Sequence, residues 1–290
     1  MQKQTPHLIF ATHFSESCYA AIPLVAQCVD SLQARLTLLH VPVRGSRARA
    51  RQALDSFFAE SATYAACERV LGEGRAEDGI VETCRRHPQA LLVMPPSERT
   101  GLPRLLHTSL RARVLQRIDN PMLTMPQASI GSLAHAHTGA VACWLDVLDA
   151  SLWHLQQAIA LARHRQAPLY LMHVLSGIDE PVLPADMMDA APQGEAGVRD
   201  WLERKMSELA PDLSFELMLA HGNPTRQLRQ MLKYSDARVL VMRRHAALKG
   251  SRRRPTIEPA LSRCDCLLLC VPCLAPLSTG HARSLMPTCQ

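Results

Sequence analysis

A segment that occurs twice constrains this chain more than any other feature. Gln33-Ala34-Arg35-Leu36-Thr37-Leu38-Leu39-His40-Val41 returns as Gln166-Ala167-Pro168-Leu169-Tyr170-Leu171-Met172-His173-Val174, and Leu91-Leu92-Val93-Met94 returns as Val239-Leu240-Val241-Met242. Each is an apolar run of buried-strand length, met in the same order and separated by stretches with helical spacing. A unit this long is a whole domain rather than a solenoid repeat, so the expectation is two copies of one α/β domain.

The first half reads as strands at 8–12, 36–41, 68–72, 90–94 and 122–125, with helices at 47–66, 77–86 and 109–118. A further helix follows the first strand, where Ala20, Ala21, Leu24, Val25, Cys28 and Val29 recur at the 3.6-residue period of one packed face. Pro23 lies inside it and either kinks the helix or moves its start later. The second half repeats the plan, with strands at 140–145, 169–174, 214–220, 238–242 and 267–271 and helices at 151–164, 195–209 and 224–234. Near-continuous apolar strands suit parallel sheets covered on both faces. Right-handed crossovers then make each half an open, mostly parallel five-stranded sheet flanked by helices, a Rossmann-like α/β class. The expected division is a first domain at 1–126, a linker at 127–139, a second domain at 140–274 and a tail at 275–290.

Of the 290 residues 47% are apolar and 4% aromatic, which allows two cores built from aliphatic side chains. The formal charge of +6 permits contact with anions. The basic clusters at 44–51 and 249–254 lack interleaved aromatics that would stack bases, so no nucleic-acid partner is expected. No apolar run approaches the roughly 20 residues that span a bilayer, and the amino terminus runs into a strand signal without a secretory pattern. Ten cysteines in a chain of this length do not make a disulfide framework. A cytoplasmic protein with free thiols is expected.

Three stretches carry a family resemblance. Phe10-Ala11-Thr12-His13-Phe14-Ser15-Glu16-Ser17 and Cys143-Trp144-Leu145-Asp146-Val147-Leu148-Asp149-Ala150-Ser151 each run from a strand into a serine-bearing helix start, and 93–109 follows the fourth strand. Across 5–125 and 139–272 the chain resembles the universal stress protein family in its tandem form. The resemblance implies cytoplasmic α/β domains that pair, many of them binding ATP or AMP. Nucleotide-binding members carry three spaced glycines and then Ser or Thr after the fourth strand. Laid onto this sequence, the glycine positions fall on Pro95, Glu98 and Thr108, with Ser109 retained; in the second half they fall on Arg243, Ala246 and Thr256, with Ile257 at the hydroxyl position. Such glycines let backbone N–H groups close around phosphate oxygens. Pro95 has no N–H to give, and Glu98 brings a like charge. The family's ribose-contacting Asp corresponds to His13 in the first half and to Asp146 in the second.

The second half therefore holds the candidate nucleotide or anion site. It comprises Asp146, Val174, Gly222, Asn223, Arg243, Arg252 and Thr256, with adenine expected near Val174 and phosphates near Gly222 and the basic loop. Glycine-rich dinucleotide loops, Walker loops and Gly-x-Ser-x-Gly elbows are absent. Ser15, Ser17 and Ser151 read as helix starts. His40 and His173 recur at equivalent strand ends, the pattern of hydrogen-bonded sheet histidines rather than of an acid–base pair. Cys264, Cys266, Cys270 and Cys273 have the spacing of soft metal ligands. On a strand, however, Cys266 and Cys270 stand about 13 Å apart, so no metal is expected.

The expected protein is non-catalytic and serves stress response or regulation through degenerate nucleotide sites, with no cofactor. Its domains pair within the chain through exposed edges and their final strands as an internal pseudo-dimer, two chains could pair further, and a regulatory protein partner is unspecified. The alternatives are an AMP or ATP sensor acting through the second half, and a redox- or metal-responsive cysteine module.

Overall fold

The computed structural model describes residues 5–42, 45–96, 109–125, 139–145, 152–175, 194–244 and 266–272. In the first half β1 (His7–Thr12), β2 (Arg35–His40), β3 (Cys67–Leu71), β4 (Leu91–Met94) and β5 (Met122–Thr124) alternate with α1 (Glu16–Leu32), α2 (Arg47–Ser56), α3 (Ala76–Arg86) and α4 (Leu110–Leu115). The second half has β6 (Ala140–Trp144), β7 (Leu169–Leu175), β8 (Phe215–His221), β9 (Ala237–Arg243) and β10 (Leu267–Val271), with α5 (Trp153–Arg165), α6 (Gly194–Leu209) and α7 (Pro224–Ser235).

The expectation of two separate sheets is corrected. The strands form one ten-stranded sheet in the order β3-β2-β1-β4-β5-β10-β9-β6-β7-β8. Each half is parallel throughout, and the halves meet where β5 and β10 pair antiparallel, with Leu123 opposite Leu269. The order reads the same from either end once each strand is matched to its repeat, so the two copies are related by an approximate two-fold axis at this seam. Each final strand is paired on one side within its own copy and has an open outer edge, so joining the two removes two sheet edges at once.

One face of the sheet is covered by α1, α2, α5 and α6, where Phe10, Leu38, Val25, Leu54 and Phe57 pack in one aliphatic cluster with Leu171, Leu202 and Met206. The other is covered by α3, α4 and α7, where Ile9, Leu92, Ile80 and Val114 join Met172, Leu228 and Leu240. α3 comes close to β2 because Gly79 has no side chain; a Cβ there would stand 2.8 Å from Val41 Cγ2 and 3.0 Å from the Glu73 carbonyl. That approach sets the wall of the site described below.

Three local expectations change. α1 begins at Glu16 and continues through Pro23, which lies on the exposed side, where a carbonyl left without its helical donor costs least. The helix read at 47–66 stops at Ser56 and resumes as a 3-10 turn at Ala59–Thr63. There Phe57 and Phe58 are buried and Phe58 takes φ 54°, and burying both rings beside Phe10 and Tyr64 outweighs continuation of the helix. α4 is shorter than 109–118, ending at Leu115. Residues 127–138 of the expected linker and the expected tail 275–290 lie outside the described residues. Among the described residues no helix is long and apolar enough to cross a membrane.

Candidate functional site

β1 and β4 are neighbours while the chain between them runs outward through β2 and β3. Connections therefore leave in opposite directions from the carboxyl ends of β1 and β4, opening a crevice where ligands of open α/β sheets bind. A cleft of about 590 Å³ lies there, bordered by the ends of β1, β2 and β4 and by α2, α3 and the start of α4. This volume is within the range of about 300–1,000 Å³ usual for small-molecule sites. Its walls are mainly aliphatic, with Leu39, Val41, Ala53, Ile80, Met94 and Leu110 among them, and its polar lining includes Thr12, His13, His40, Arg49 and Arg111.

Arg111 enters from the first turn of α4 and is only 7% exposed. Its Nη1 donates to Thr124 Oγ1 at 2.8 Å and to the Met125 carbonyl at 3.2 Å, while Thr124 Oγ1 donates to the Met94 carbonyl at 2.7 Å. Burial pushes the guanidinium down to about 10, because a cation removed from water is less favoured. The helix carrying it is braced from outside, where Glu77 of α3 accepts from Arg113 Nε and Arg117 Nη1, both at 2.7 Å. Those hydrogen bonds hold the Glu77 carboxyl below its ordinary range.

At the cleft mouth, His40 Nδ1 bonds the Thr12 carbonyl at 2.9 Å, and Phe14, with φ 61°, lays its ring 4.3 Å from the imidazole. Burial lowers the His40 pKa. His173 makes the same contact in the second half, Nδ1 to the Leu145 carbonyl at 3.0 Å. The repeated histidines thus fasten the second strand of each copy to the end of the first, as their position in the repeat suggests.

Beside the cleft stands a group that the serines and histidines of the sequence did not reveal. Ser15 occupies the N-cap position of α1, but its hydroxyl makes no cap to a helix amide. It donates instead to Cys18 Sγ at 3.5 Å; the His13 amide donates to the same sulfur at 3.5 Å, and His13 Nδ1 lies 3.3 Å from it. Burial pushes this thiol up, but hydrogen bonds from His13 and Ser15 outweigh it and bring the thiol down to about 7. The available signal was a His followed five positions later by a Cys, spanning a strand–helix junction. Ser17 is buried and donates to the Pro96 carbonyl at 2.8 Å, tying the chain after β4 to the start of α1.

Of the site residues expected in the second half, Val174 is buried near the end of β7 and Arg243 ends β9. Gly222 follows β8 with φ 104°, and Asn223 caps α7 by accepting from the Arg226 amide at 3.0 Å. All four sit at the carboxyl edge of the sheet. Asp146, Arg252 and Thr256 lie outside the described residues, as do Glu98, Thr108, Ala246 and Ile257. Cys266 and Cys270 are buried and in no disulfide, and Cys264 and Cys273 lie outside the described residues. Among the described residues no group of three or more His, Cys, Asp or Glu side chains could share a metal.

Residues 145–272 match the model of the universal stress protein family. No curated protein sequence matches the chain. Among solved structures, a universal stress protein of Archaeoglobus fulgidus superposes with a TM-score of 0.66 at 14% identity, covering 93% of this chain and 99% of its own. A Pseudomonas aeruginosa protein described as a universal stress protein gives 0.64 at 16% identity, covering 92% of each. The cytoplasmic domain of a prokaryotic cation chloride cotransporter gives 0.54 at 12% identity, covering 97% of this chain and 98% of its own. At these identities the superpositions speak for the fold, while the family match rests on sequence. The second half of the chain belongs to the universal stress protein family, and the first half repeats its strand order on the other side of a shared seam.

Proposed function

We propose that this is a non-catalytic, tandem universal-stress-type regulatory protein whose first half senses a small ligand without the usual phosphate cradle. The observation that carries the reading is the aliphatic cleft at the β1–β4 switch point with Pro95 at its rim. A proline there removes an amide where phosphate-binding loops supply one. The Ser17 hydroxyl, near the helix start, is committed to the Pro96 carbonyl. The proposed units remain 1–126 and 140–274, acting in the cytoplasm, with the two copies paired within the chain and a regulatory protein partner downstream.

A second reading is AMP or ATP binding by the second half through Asp146, Val174, Gly222, Asn223, Arg243, Arg252 and Thr256. It is favoured by the positive φ of Gly222 immediately before the capped start of α7, a geometry that suits anions. A third, cysteine-based response through Cys264, Cys266, Cys270 and Cys273 has less support, because burial removes Cys266 and Cys270 from solvent. Heat-denaturing the purified protein and chromatographing the supernatant separates the first two. We expect no stoichiometric adenine nucleotide; its release would defeat the first reading in favour of the second.

A further inference from the structure

We infer that the first-half cleft binds an uncharged apolar alcohol or phenol, its body against the aliphatic walls and its hydroxyl held between His40 and Thr12. The inference rests on the reading of this cleft as a ligand site and names the ligand class. Its basis is a pair of side chains with hydrogen-bonding capacity to spare. Thr12 and His40 are register partners at the carboxyl ends of β1 and β2, so both side chains leave the same face of the sheet, and both border the cleft. A carbonyl can only accept, so His40 Nδ1, bonded to the Thr12 carbonyl at 2.9 Å, carries the proton. Burial lowers the His40 pKa, which keeps the ring uncharged near neutral pH and leaves Nε2 as an acceptor. No described protein group bonds that nitrogen.

Thr12 supplies the complement. It is only 6% exposed, its Oγ1 accepts from the Phe14 amide at 3.1 Å, and its own hydrogen goes to no described protein group. A buried donor left unused is costly. One ligand hydroxyl can accept from Thr12 and donate to His40, which satisfies both. Charge argues for a neutral ligand. None of the described lining residues is a carboxylate that would hold a cation. An anion would meet the His40 lone pair, while Arg111 is committed to Thr124 and the Met125 carbonyl and Arg49 is exposed. Pro95 offers no N–H to a phosphate. Leu39, Val41, Ala53, Ile80, Met94 and Leu110 are suited to an alkyl or aryl body, where burial of apolar area supplies the affinity.

The test is calorimetric titration of the full chain with 1-octanol and with its isosteric ether 1-methoxyheptane, which accepts but cannot donate. Octanoate, AMP and ATP are titrated alongside. Ala53→Trp fills the cleft from a half-buried helix position, His40→Phe removes the acceptor while keeping a ring, and Thr12→Val removes the donor, with circular dichroism checking that each variant folds. We expect octanol to bind at least about fivefold more tightly than the ether in the native protein, and more tightly than octanoate. His40→Phe should erase the difference between octanol and ether, Thr12→Val should weaken both, and Ala53→Trp should abolish both. Equal binding of octanol and ether, both lost in Ala53→Trp, would overturn the hydroxyl contact while leaving the cleft as a ligand site. Octanoate binding more tightly than octanol, or nucleotide binding lost in Ala53→Trp with no octanol binding, would overturn the uncharged class. No binding by any of them, or binding that survives Ala53→Trp, would overturn the site itself.

Discussion

The sulfur of Cys18 accepts hydrogen bonds from the His13 amide and the Ser15 hydroxyl while His13 Nδ1 stands 3.3 Å away. These contacts favour the thiolate against its burial, so the folded thiol titrates at about 7, below the ordinary 9.0. A depressed acid adds stability that is complete above its unfolded value and is lost as pH falls through its folded value. Between pH 7 and 9 the native protein should therefore gain about 2 kcal/mol relative to Cys18→Ser, read from urea unfolding at both ends of the window. Above that window Cys28 and Cys84, pushed up to about 12 by burial, act with opposite sign, because their unfolded forms ionise first. His13→Ala should raise the Cys18 thiol by a unit or more on the scale of such contacts, followed by ultraviolet thiolate absorbance with Cys18→Ser as the blank. An unchanged titration would show that His13 does not set this group. The site was only partly legible at this scale. His40 and His173 announced themselves by recurring in the repeat, and Pro95 by the amide it lacks. Arg111 and Cys18 did not, because their chemistry comes from burial and from neighbours brought in by folding, not from spacing along the chain.

The same Gln-Ala pair that opens the sequence repeat closes α1 and α5. Gln33 and Gln166 sit at the two C-caps with φ 49° and 50°, their amides donating back to the last helical carbonyls. A left-handed cap residue costs a side chain more than glycine. Gln166→Gly should therefore stabilise the protein by about 0.5–1 kcal/mol in urea unfolding, whereas a loss would mean that the glutamine side chain itself holds the turn. Pro23 offers a larger gain. It lies within α1 on its exposed side and supplies no backbone N–H, so Pro23→Ala restores one helical hydrogen bond and should add about 2 kcal/mol by the same measurement. No change would indicate that the restriction Pro places on the unfolded chain offsets the missing bond. Strands were the most readable elements, β10 at 267–271 with its bounds unchanged, since continuous apolar runs have no alternative but a covered sheet. The helix at 47–66 was misjudged because Phe57 and Phe58 fit a helical period yet are buried by leaving it.

Whether the two copies act as one body depends on the seam. Pairing through the final strands of the two copies was expected, but that it merges ten strands into a single sheet was not readable, because an edge strand's partner is chosen by shape and by the geometry of the opposing edge, neither of which leaves a periodic trace. β5 contributes only Met122–Thr124 to the joint, but a second tie crosses it. Arg244, just after β9, donates to the Leu115 carbonyl at 3.0 Å, to the Ile118 carbonyl, and to Asp119 Oδ1 at 2.6 Å. It thereby serves the carboxyl end of the helix whose first turn ties Arg111 to Thr124 and the Met125 carbonyl. The seam strands bury Leu123, Met122, Leu268, Leu269 and Cys270, so opening the joint exposes core from both halves at once. Calorimetry should then show one unfolding transition, with calorimetric and van't Hoff enthalpies in agreement. Arg244→Ala strands carbonyls in both meanings of the joint, structural and electrostatic, at a cost of about 1–3 kcal/mol. It should lower the midpoint of that single transition by about 2–6 °C without splitting it. Two transitions in the native protein, with Arg244→Ala moving only one, would mean that the copies fold independently and share a sheet without sharing stability.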